Sequence, residues 1–205
     1  MKSVSEATNN PVPYAIAEII KVVAMSRITD TYGPIPYSKI GADGKITIPY
    51  DSQEDVYNKF FEELNQAIEI LTENSGSALV ATADYVYSGN VAKWIKFANS
   101  LKLRLAIRVA YANKTLAQEM AESAVKHEFG VIESNADNAK WNYFGTIPNP
   151  LYTAVRYNEE TSGGDSHVAA DIVCYMNGYS DGRRAAYFEK SGWKDQEYVL
   201  SLIHI

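Results

Sequence analysis

The sequence is poor in the residues that most catalytic and metal sites require. It has one cysteine, Cys174, so an internal disulfide is excluded. No G-x-S-x-G elbow, P-loop or HExxH motif occurs, and no histidine lies at metal-ligand spacing from another; the three are His127, His167 and His204. We therefore expect no catalytic residues, no metal site and no cofactor.

Carboxylates offer no better basis for an enzyme. Glycosidase chemistry needs two carboxyl groups that face each other across a cleft. Acidic residues are adjacent at 62–63 and 159–160, but adjacency along the chain does not create such a pair. The acids at 51–55 are better explained by the positive end of a helix dipole, near which carboxylates are favourable.

Positive charge and long apolar runs are also scarce. The chain has 19 Lys and Arg against 25 Asp and Glu, for a net charge of −6. Because nucleic acids bind basic surfaces, we expect no nucleic-acid partner. No apolar run reaches the roughly 18–20 residues that cross a bilayer, and residues 1–13 lack a signal-peptide core. The sequence as given predicts a soluble chain, cut at both ends from a longer protein.

Apolar residues at helical spacing dominate the chain and predict a mostly α fold. The third helix is apolar on two sides, with Trp94 and Leu105 on one and Phe97, Leu103 and Ile107 on the other, which is typical of a helix between neighbours. We expect one tetratricopeptide-like helical domain over 1–205, with stacked helix pairs and long irregular loops. The predicted helices cover about residues 13–29, 52–73, 89–112, 116–128 and 167–176.

Smaller signals predict the ends of these elements. Ser52 is the expected N-cap of the second helix, and Thr115 with Gln118 forms a capping-box pattern for the fourth. Turn residues before position 45 favour a short strand over 45–50. Cys174 lies in an apolar helical stretch, so a buried thiol is expected.

Five basic residues lie along the third helix: Lys93, Lys96, Lys102, Arg104 and Arg108. A nucleic-acid site would need one exposed basic stripe with interleaved aromatic residues. These residues are spread over different faces instead. We expect them to line the helix rims and to pair with acids on neighbouring helices.

Aromatic residues are mostly tyrosine, with 15 Tyr against 6 Phe and 3 Trp. Tyrosine combines an apolar ring with a hydroxyl group, which suits a partly hydrated binding surface. Several aromatic residues crowd an irregular segment, 135–157, where sugars could stack on rings beside amide and guanidinium groups. Packing of these rings onto the helices is the alternative interpretation. The predicted ligand-binding residues are Trp141, Tyr143, Asn149, Tyr152 and Arg156.

Three sequence blocks resemble the SusD/RagB family. The segment 26–38, SRITDTYGPIPYS, resembles its D-x-Y-G-x-I-P-Y block, and 50–57, YDSQEDVY, resembles the entry to its next helix. The most specific block is 87–108, YSGNVAKWIKFANSLKLRLAIR. Shorter matches occur at 130–132 and 149–152, whereas Asp181-Gly182-Arg183 departs from the usual D-P-R.

The resemblance implies a non-enzymatic protein, lipid-anchored on the outer face of the outer membrane. Its anchor would be an N-terminal cysteine that this chain does not contain. The implied partners are an oligosaccharide or other nutrient and a SusC-like TonB-dependent transporter. Two alternatives remain open at this point: an intracellular helical-repeat adaptor that binds another protein, and a carbohydrate-active enzyme.

Overall fold

The computed structural model describes residues 2–41, 47–77, 79–141, 149–154 and 169–188. These residues form helices and connecting segments, and no strand occurs among them; Ile35 and Asp51 form an isolated antiparallel bridge. No helix in these ranges is long and apolar enough to span a membrane. The helices are α1 Lys2–Thr8, α2 Val12–Tyr32, α3 Gln53–Glu73, α4 Val91–Arg108, α5 Lys114–Val125, α6 Pro150–Tyr152, α7 Ala170–Gly178 and α8 Arg184–Tyr187.

The chain divides into two compact units, 1–142 and 143–205. In the first unit α2 packs on α3, α3 on α4, and α4 on α5. Five residues join α4 to α5, and so short a connection makes a helical hairpin. These stacked pairs confirm the prediction of a mostly α, tetratricopeptide-like fold. That 1–205 forms one domain stays a prediction.

The core of the first unit lies between these helices. Side chains of α3 lie at its centre, with Phe60, Leu64 and Leu71 fully buried. Helix α2 contributes Ile19 and Val22, also fully buried. At about 1.5–3 kcal/mol for each large apolar side chain, burial of these stripes is the main force that holds the helices together.

The connection between α2 and α3 is fixed by hydrogen bonds from both helices. Gly33 ends α2 with a φ of +78°, a conformation in which glycine has no Cβ penalty. The Thr29 hydroxyl donates to the Gly33 carbonyl over 2.6 Å, and the Gln53 amide donates to the Thr29 carbonyl over 2.8 Å. Farther along, the Tyr37 hydroxyl donates to Glu63 on α3. The described parts of this connection are therefore held to both helices.

A buried carboxylate fixes the connection that leads into α4. Asp84 is 8% exposed and accepts from three backbone N–H groups, those of Val86, Tyr87 and Gly89, at 2.9–3.2 Å. The Trp94 indole also donates to Asp84, over 2.8 Å. Burial by itself raises the pKa of Asp84, but these four hydrogen bonds outweigh it and leave the pKa below its usual value.

Asp84 makes its hydrogen bonds only because the turn is tight. Gly89 has a φ of +85°, and a Cβ there would lie 2.4 Å from the Leu79 carbonyl oxygen. Any other residue would push the two segments apart. The glycine in the Y-S-G-N sequence before α4 therefore has a packing role as well as a conformational one.

The predicted helices are present, and four smaller predictions need correction. The N-cap of α5 is Asn113, whose side chain accepts from Leu116, so the Thr115 capping box is wrong. The predicted strand is absent over 47–50, because only Asp51 pairs, with Ile35; residues 42–46 lie outside the described residues. Cys174 is exposed on α7. Ile107 is 64% exposed, and the second buried face of α4 is formed by Ile95, Asn99, Lys102 and Ala106.

The basic residues of α4 follow the predicted pattern in part. Lys93 and Lys96 pair with Asp137, and Arg108 pairs with Asp30. Lys102 is different because it is 4% exposed and its ammonium donates to the Asn65 side-chain oxygen over 3.1 Å. Among the described residues it pairs with no acid. Burial therefore lowers the pKa of Lys102.

The second unit contains α6, α7 and α8. Val173 and Met176 are buried on one side of α7, three residues apart as helical spacing requires. The Asp181-Gly182-Arg183 turn is closed by Asp181, which accepts from the Arg183 backbone N–H over 2.9 Å and pairs with its guanidinium. Arg183 holds the pKa of Asp181 at about 2.

We expect Asp84→Asn to lower the free energy of unfolding by about 2–3 kcal/mol at pH 7, because a hydrogen bond to a charged group contributes about 1.5–3 kcal/mol. Asparagine keeps one acceptor oxygen, but its amide N–H group would face one of the N–H groups that now donate to Asp84. Urea unfolding measures the effect, with Glu119→Gln on the exposed side of α5 as the matched control. Because the folded pKa is lowered, the difference should persist above about pH 4 and shrink as pH falls through the folded pKa. An equal loss in both variants would contradict this role.

We expect Lys102→Met to remove an alkaline rise in stability. The folded state disfavours the charged lysine, so its cost is fully present below the folded pKa and is relieved as pH rises toward about 10.4. The stability difference between variant and wild type should therefore shrink from pH 7 to pH 10 in urea unfolding. His127, whose pKa is also lowered, is neutral throughout this window. A difference independent of pH would show that Lys102 is not strained by burial.

Candidate functional site

Two half-exposed aromatic rings stand together on the surface of the first unit. Trp141 is 54% exposed and Tyr85 is 47% exposed. Their ring centroids are 5.8 Å apart with an interplanar angle of 63°, an edge-to-face pair. The pair exposes apolar ring surface to solvent, beside one hydroxyl group and one indole N–H.

Tyr85 is held by the buried carboxylate beside it. Asp84 and Tyr87, its close neighbours in sequence, are both buried, and the Tyr87 ring packs edge-on against Trp94 with centroids 5.3 Å apart. Tyr85 lies between these two residues in the turn, and its side chain is half exposed. Its backbone is fixed while its ring remains accessible.

Trp141 follows a short 3₁₀ turn, Asn135–Asp137, that is tied to the N-terminal half of α4. The Lys93 ammonium donates to the Ala136 carbonyl over 2.6 Å, and Lys96 pairs with Asp137 at 3.1 Å. The Tyr87 hydroxyl donates to the Asp137 carbonyl over 2.8 Å, and burial raises the pKa of Tyr87 to about 12. The two segments that carry the rings are thus linked to each other and to α4.

The other predicted ligand-binding residues have different positions. Asn149 caps α6, because its side-chain oxygen accepts from the Leu151 N–H over 2.9 Å. Tyr152 is 51% exposed on the same short helix. Tyr143 and Arg156 lie outside the described residues. The structure describes Trp141 in the first unit and Asn149 and Tyr152 in the second, so their joint role in one site stays a prediction.

Sequence reasoning missed Tyr85. The available signal was its place in Asp84-Tyr85-Val86-Tyr87, where two tyrosines two positions apart would be expected on one face of a strand. The capping of this turn by Asp84 instead buries one ring and exposes the other. That outcome depends on the hydrogen bond that the Trp94 indole donates to Asp84, ten residues away, which a local pattern does not reveal.

A second surface feature is a cleft of about 290 Å³ beside the start of α3. Both side-chain oxygens of Asp51 are occupied there, by the backbone N–H groups of Tyr37 and Ser38 and by the Ser38 hydroxyl. These bonds lower the pKa of Asp51. Its role is therefore to hold the connection before α3. Within the described ranges no group of three or more His, Cys, Asp or Glu side chains could hold a metal ion.

Comparison with known proteins identifies relatives of this chain. A family model described as "SusD-like: Susd and RagB outer membrane lipoprotein" matches residues 1–204. No curated protein matches.

Among solved structures, a SusD homologue from Bacteroides uniformis is 74% identical with a TM-score of 0.90, covering 97% of this chain and 41% of its own. A chitin-binding SusD homologue from Flavobacterium johnsoniae is 38% identical with a TM-score of 0.81, covering 96% of this chain and 40% of its own. A SusD homologue from Bacteroides ovatus is 39% identical with a TM-score of 0.78, covering 92% and 37%. The chain thus spans about two fifths of the length of these relatives.

We expect Tyr85→Ala to loosen Trp141, because the tyrosine ring packs against the indole ring. In protein labelled with 5-fluorotryptophan, the ¹⁹F resonance of Trp141, assigned with Trp141→Phe, should move toward the free amino acid position. Tyr85→Phe retains the ring and should leave the resonance in place. An unchanged Trp141 signal in Tyr85→Ala would show that the two rings do not support each other in solution.

Proposed function

This chain belongs to the SusD-like family, and from that premise we propose that it is part of a cell-surface protein that binds an oligosaccharide and passes it to a transporter. The protein would be lipid-anchored in the outer membrane, and its partner would be a SusC-like TonB-dependent transporter. It would bind its ligand without chemical turnover. The family's description as outer membrane lipoproteins supports the location.

The Tyr85–Trp141 pair is the observation that supports sugar binding most directly. Sugars expose apolar C–H faces surrounded by hydroxyl groups, and an aromatic pair with polar edges complements both. The supporting segments are fixed by hydrogen bonds and ion pairs, so little order must be gained on binding. Such preorganisation favours affinity. Asn149, Tyr152, Tyr143 and Arg156 remain proposed contributors.

The first ligand to test is a chitin oligosaccharide, because a relative of 38% identity is a chitin-binding SusD homologue. Its acetamido groups combine a methyl group with a peptide-like amide, and the indole N–H is a suitable donor to the amide oxygen. A panel of neutral plant and host glycans should be tested beside it.

The alternatives have less support. An intracellular adaptor does not agree with the family's description as outer membrane lipoproteins. An enzyme would need opposed carboxylates in a cleft, and the three acidic residues of the cleft beside α3 are already engaged. Asp51 holds the backbone, Asp55 accepts from the Ser52 hydroxyl, and Glu62 pairs with Lys59. We propose that glycans incubated with the intact protein are recovered uncleaved.

We expect Trp141→Ala in the intact protein to weaken glycan binding about tenfold. Covering about 60 Å² of apolar ring at about 25 cal/mol per Å² contributes ~1.5 kcal/mol, and about 1.4 kcal/mol corresponds to a factor of ten. Isothermal titration calorimetry with the glycan selected on an array gives the dissociation constants. Tyr85→Ala should show a similar loss.

The matched control is Tyr111→Ala, which removes a fully exposed tyrosine beyond the end of α4. It should bind the glycan as the wild type does. If Trp141→Ala and Tyr111→Ala bind equally well, the aromatic pair is not the sugar platform. Release of shorter sugars during the incubation would instead contradict the proposal of binding without turnover.

A further inference from the structure

A second cleft, of about 240 Å³, lies between the C-terminal halves of α2 and α4. Its apolar wall is formed by Val23, Leu101 and Leu105. The polar residues around it are Ser26, Arg27, Asp30, Thr31, Arg104 and Arg108. Three guanidinium groups and one carboxylate give this cleft an excess of two positive charges, in a chain whose net charge is −6.

One of the arginines is occupied. Arg108 pairs with Asp30 at 2.8 Å, and the Tyr57 hydroxyl donates to Asp30 over 2.6 Å. Asp30 is therefore held by two partners, and its charge is offset by Arg108. The pKa of Arg108 is raised by its contacts with Tyr57 and Asp30, so this group stays charged at any physiological pH.

The other two arginines are not occupied. Among the described residues, neither the Arg27 nor the Arg104 guanidinium has an ion pair or a hydrogen bond. The nearby hydroxyl groups are engaged elsewhere. Ser26 donates to the Val23 carbonyl, and Thr31 donates to the Arg27 carbonyl. Two free cations on different helices thus line one cleft with an apolar wall.

Helix dipoles do not account for this arrangement. A cation is favoured by the negative end of a helix only within its last turn. Arg108, the last residue of α4, fits that explanation, but Arg104 lies one turn earlier and Arg27 lies five residues before the end of α2. Neither residue gains from its helix end, and both remain available to another partner.

We propose that this cleft binds a compact oxyanion, a carboxylate or sulfate group, between Arg27 and Arg104. Guanidinium groups match such anions through paired hydrogen bonds, and the apolar wall suits the body of a saccharide that carries the group. The anion site stands on its own geometry; only its assignment to an acidic saccharide rests on the proposed function.

The cleft and the aromatic pair lie toward opposite ends of α4. Lys93, which holds the Trp141 segment, and Arg104 are eleven residues apart, about 16 Å along a helix. The two features are therefore separate sites. Neutral-glycan binding at one and anion binding at the other can be measured independently.

The test titrates the intact protein with oligogalacturonate, its neutral galactose counterpart, and inorganic sulfate. We expect Arg27→Gln and Arg104→Gln each to weaken oligogalacturonate binding about tenfold or more, the effect of losing a charge-assisted hydrogen bond. Arg27→Lys retains the charge but loses the paired N–H donors of the guanidinium group, so its affinity should lie between those of Arg27→Gln and the wild type. Affinity should also fall as salt is raised.

Lys114→Gln at the exposed start of α5 removes the same single positive charge elsewhere on the surface and should change affinity less than threefold. Equal melting temperatures verify folding. If the protein binds sulfate but not oligogalacturonate, and the arginine variants lose sulfate binding, the anion site is supported and its ligand is a free ion. Anion binding that survives the arginine substitutions, or no anion binding at all, would overturn the proposal. Loss of neutral-glycan binding in Trp141→Ala bears on the proposed function alone.

Discussion

Burial of α4 on two sides is the constraint on which the first unit depends. The helix packs on α3 through one face and on α5 through another, and Ile95, Ala98 and Ala106 are fully buried. Polar side chains on so buried a helix are favourable where they find partners within the protein, although the Asn99 side-chain oxygen has none among the described residues. Trp94 donates to Asp84, and the Asn99 amide donates to the Gly130 carbonyl over 3.0 Å. These bonds fix the segments on either side of α4, so the packing of one helix determines where the aromatic pair lies.

The residues that make the sequence recognisable are mostly those that fix connections. In the first block, Gly33 turns the chain and Tyr37 reaches Glu63. In the second, Ser52 caps α3 by accepting from the Asp55 N–H. The family resemblance therefore identifies the packed helices and their connections with high specificity and says little about the ligand. This is why the fold can be stated as a fact while the ligand-binding residues remain proposals.

Helix positions could be predicted from local periodicity because apolar stripes record which face is buried. Periodicity does not distinguish two candidate N-cap residues that lie two positions apart, so it does not favour the true cap, Asn113, over Thr115. It also does not reveal contacts between distant segments. The outward orientation of Tyr85 and the pairing of Arg108 with Asp30 on another helix depend on tertiary packing. The frame was therefore predictable, whereas the Tyr85 half of the aromatic pair and the arginine cleft were not.

The buried bonds that hold the helices and the exposed groups that would bind ligands involve different residues, and this separation has a functional consequence. The Tyr85 and Trp141 rings are half exposed, so replacing them removes little buried area, whereas replacing Asp84 or Trp94 breaks bonds inside the protein. Surface substitutions away from buried networks usually change stability by less than about 0.5 kcal/mol. Rings and guanidinium groups on such a frame can change without loss of the fold. A protein that presents binding groups in this way can acquire new ligands while its helices keep the same packing.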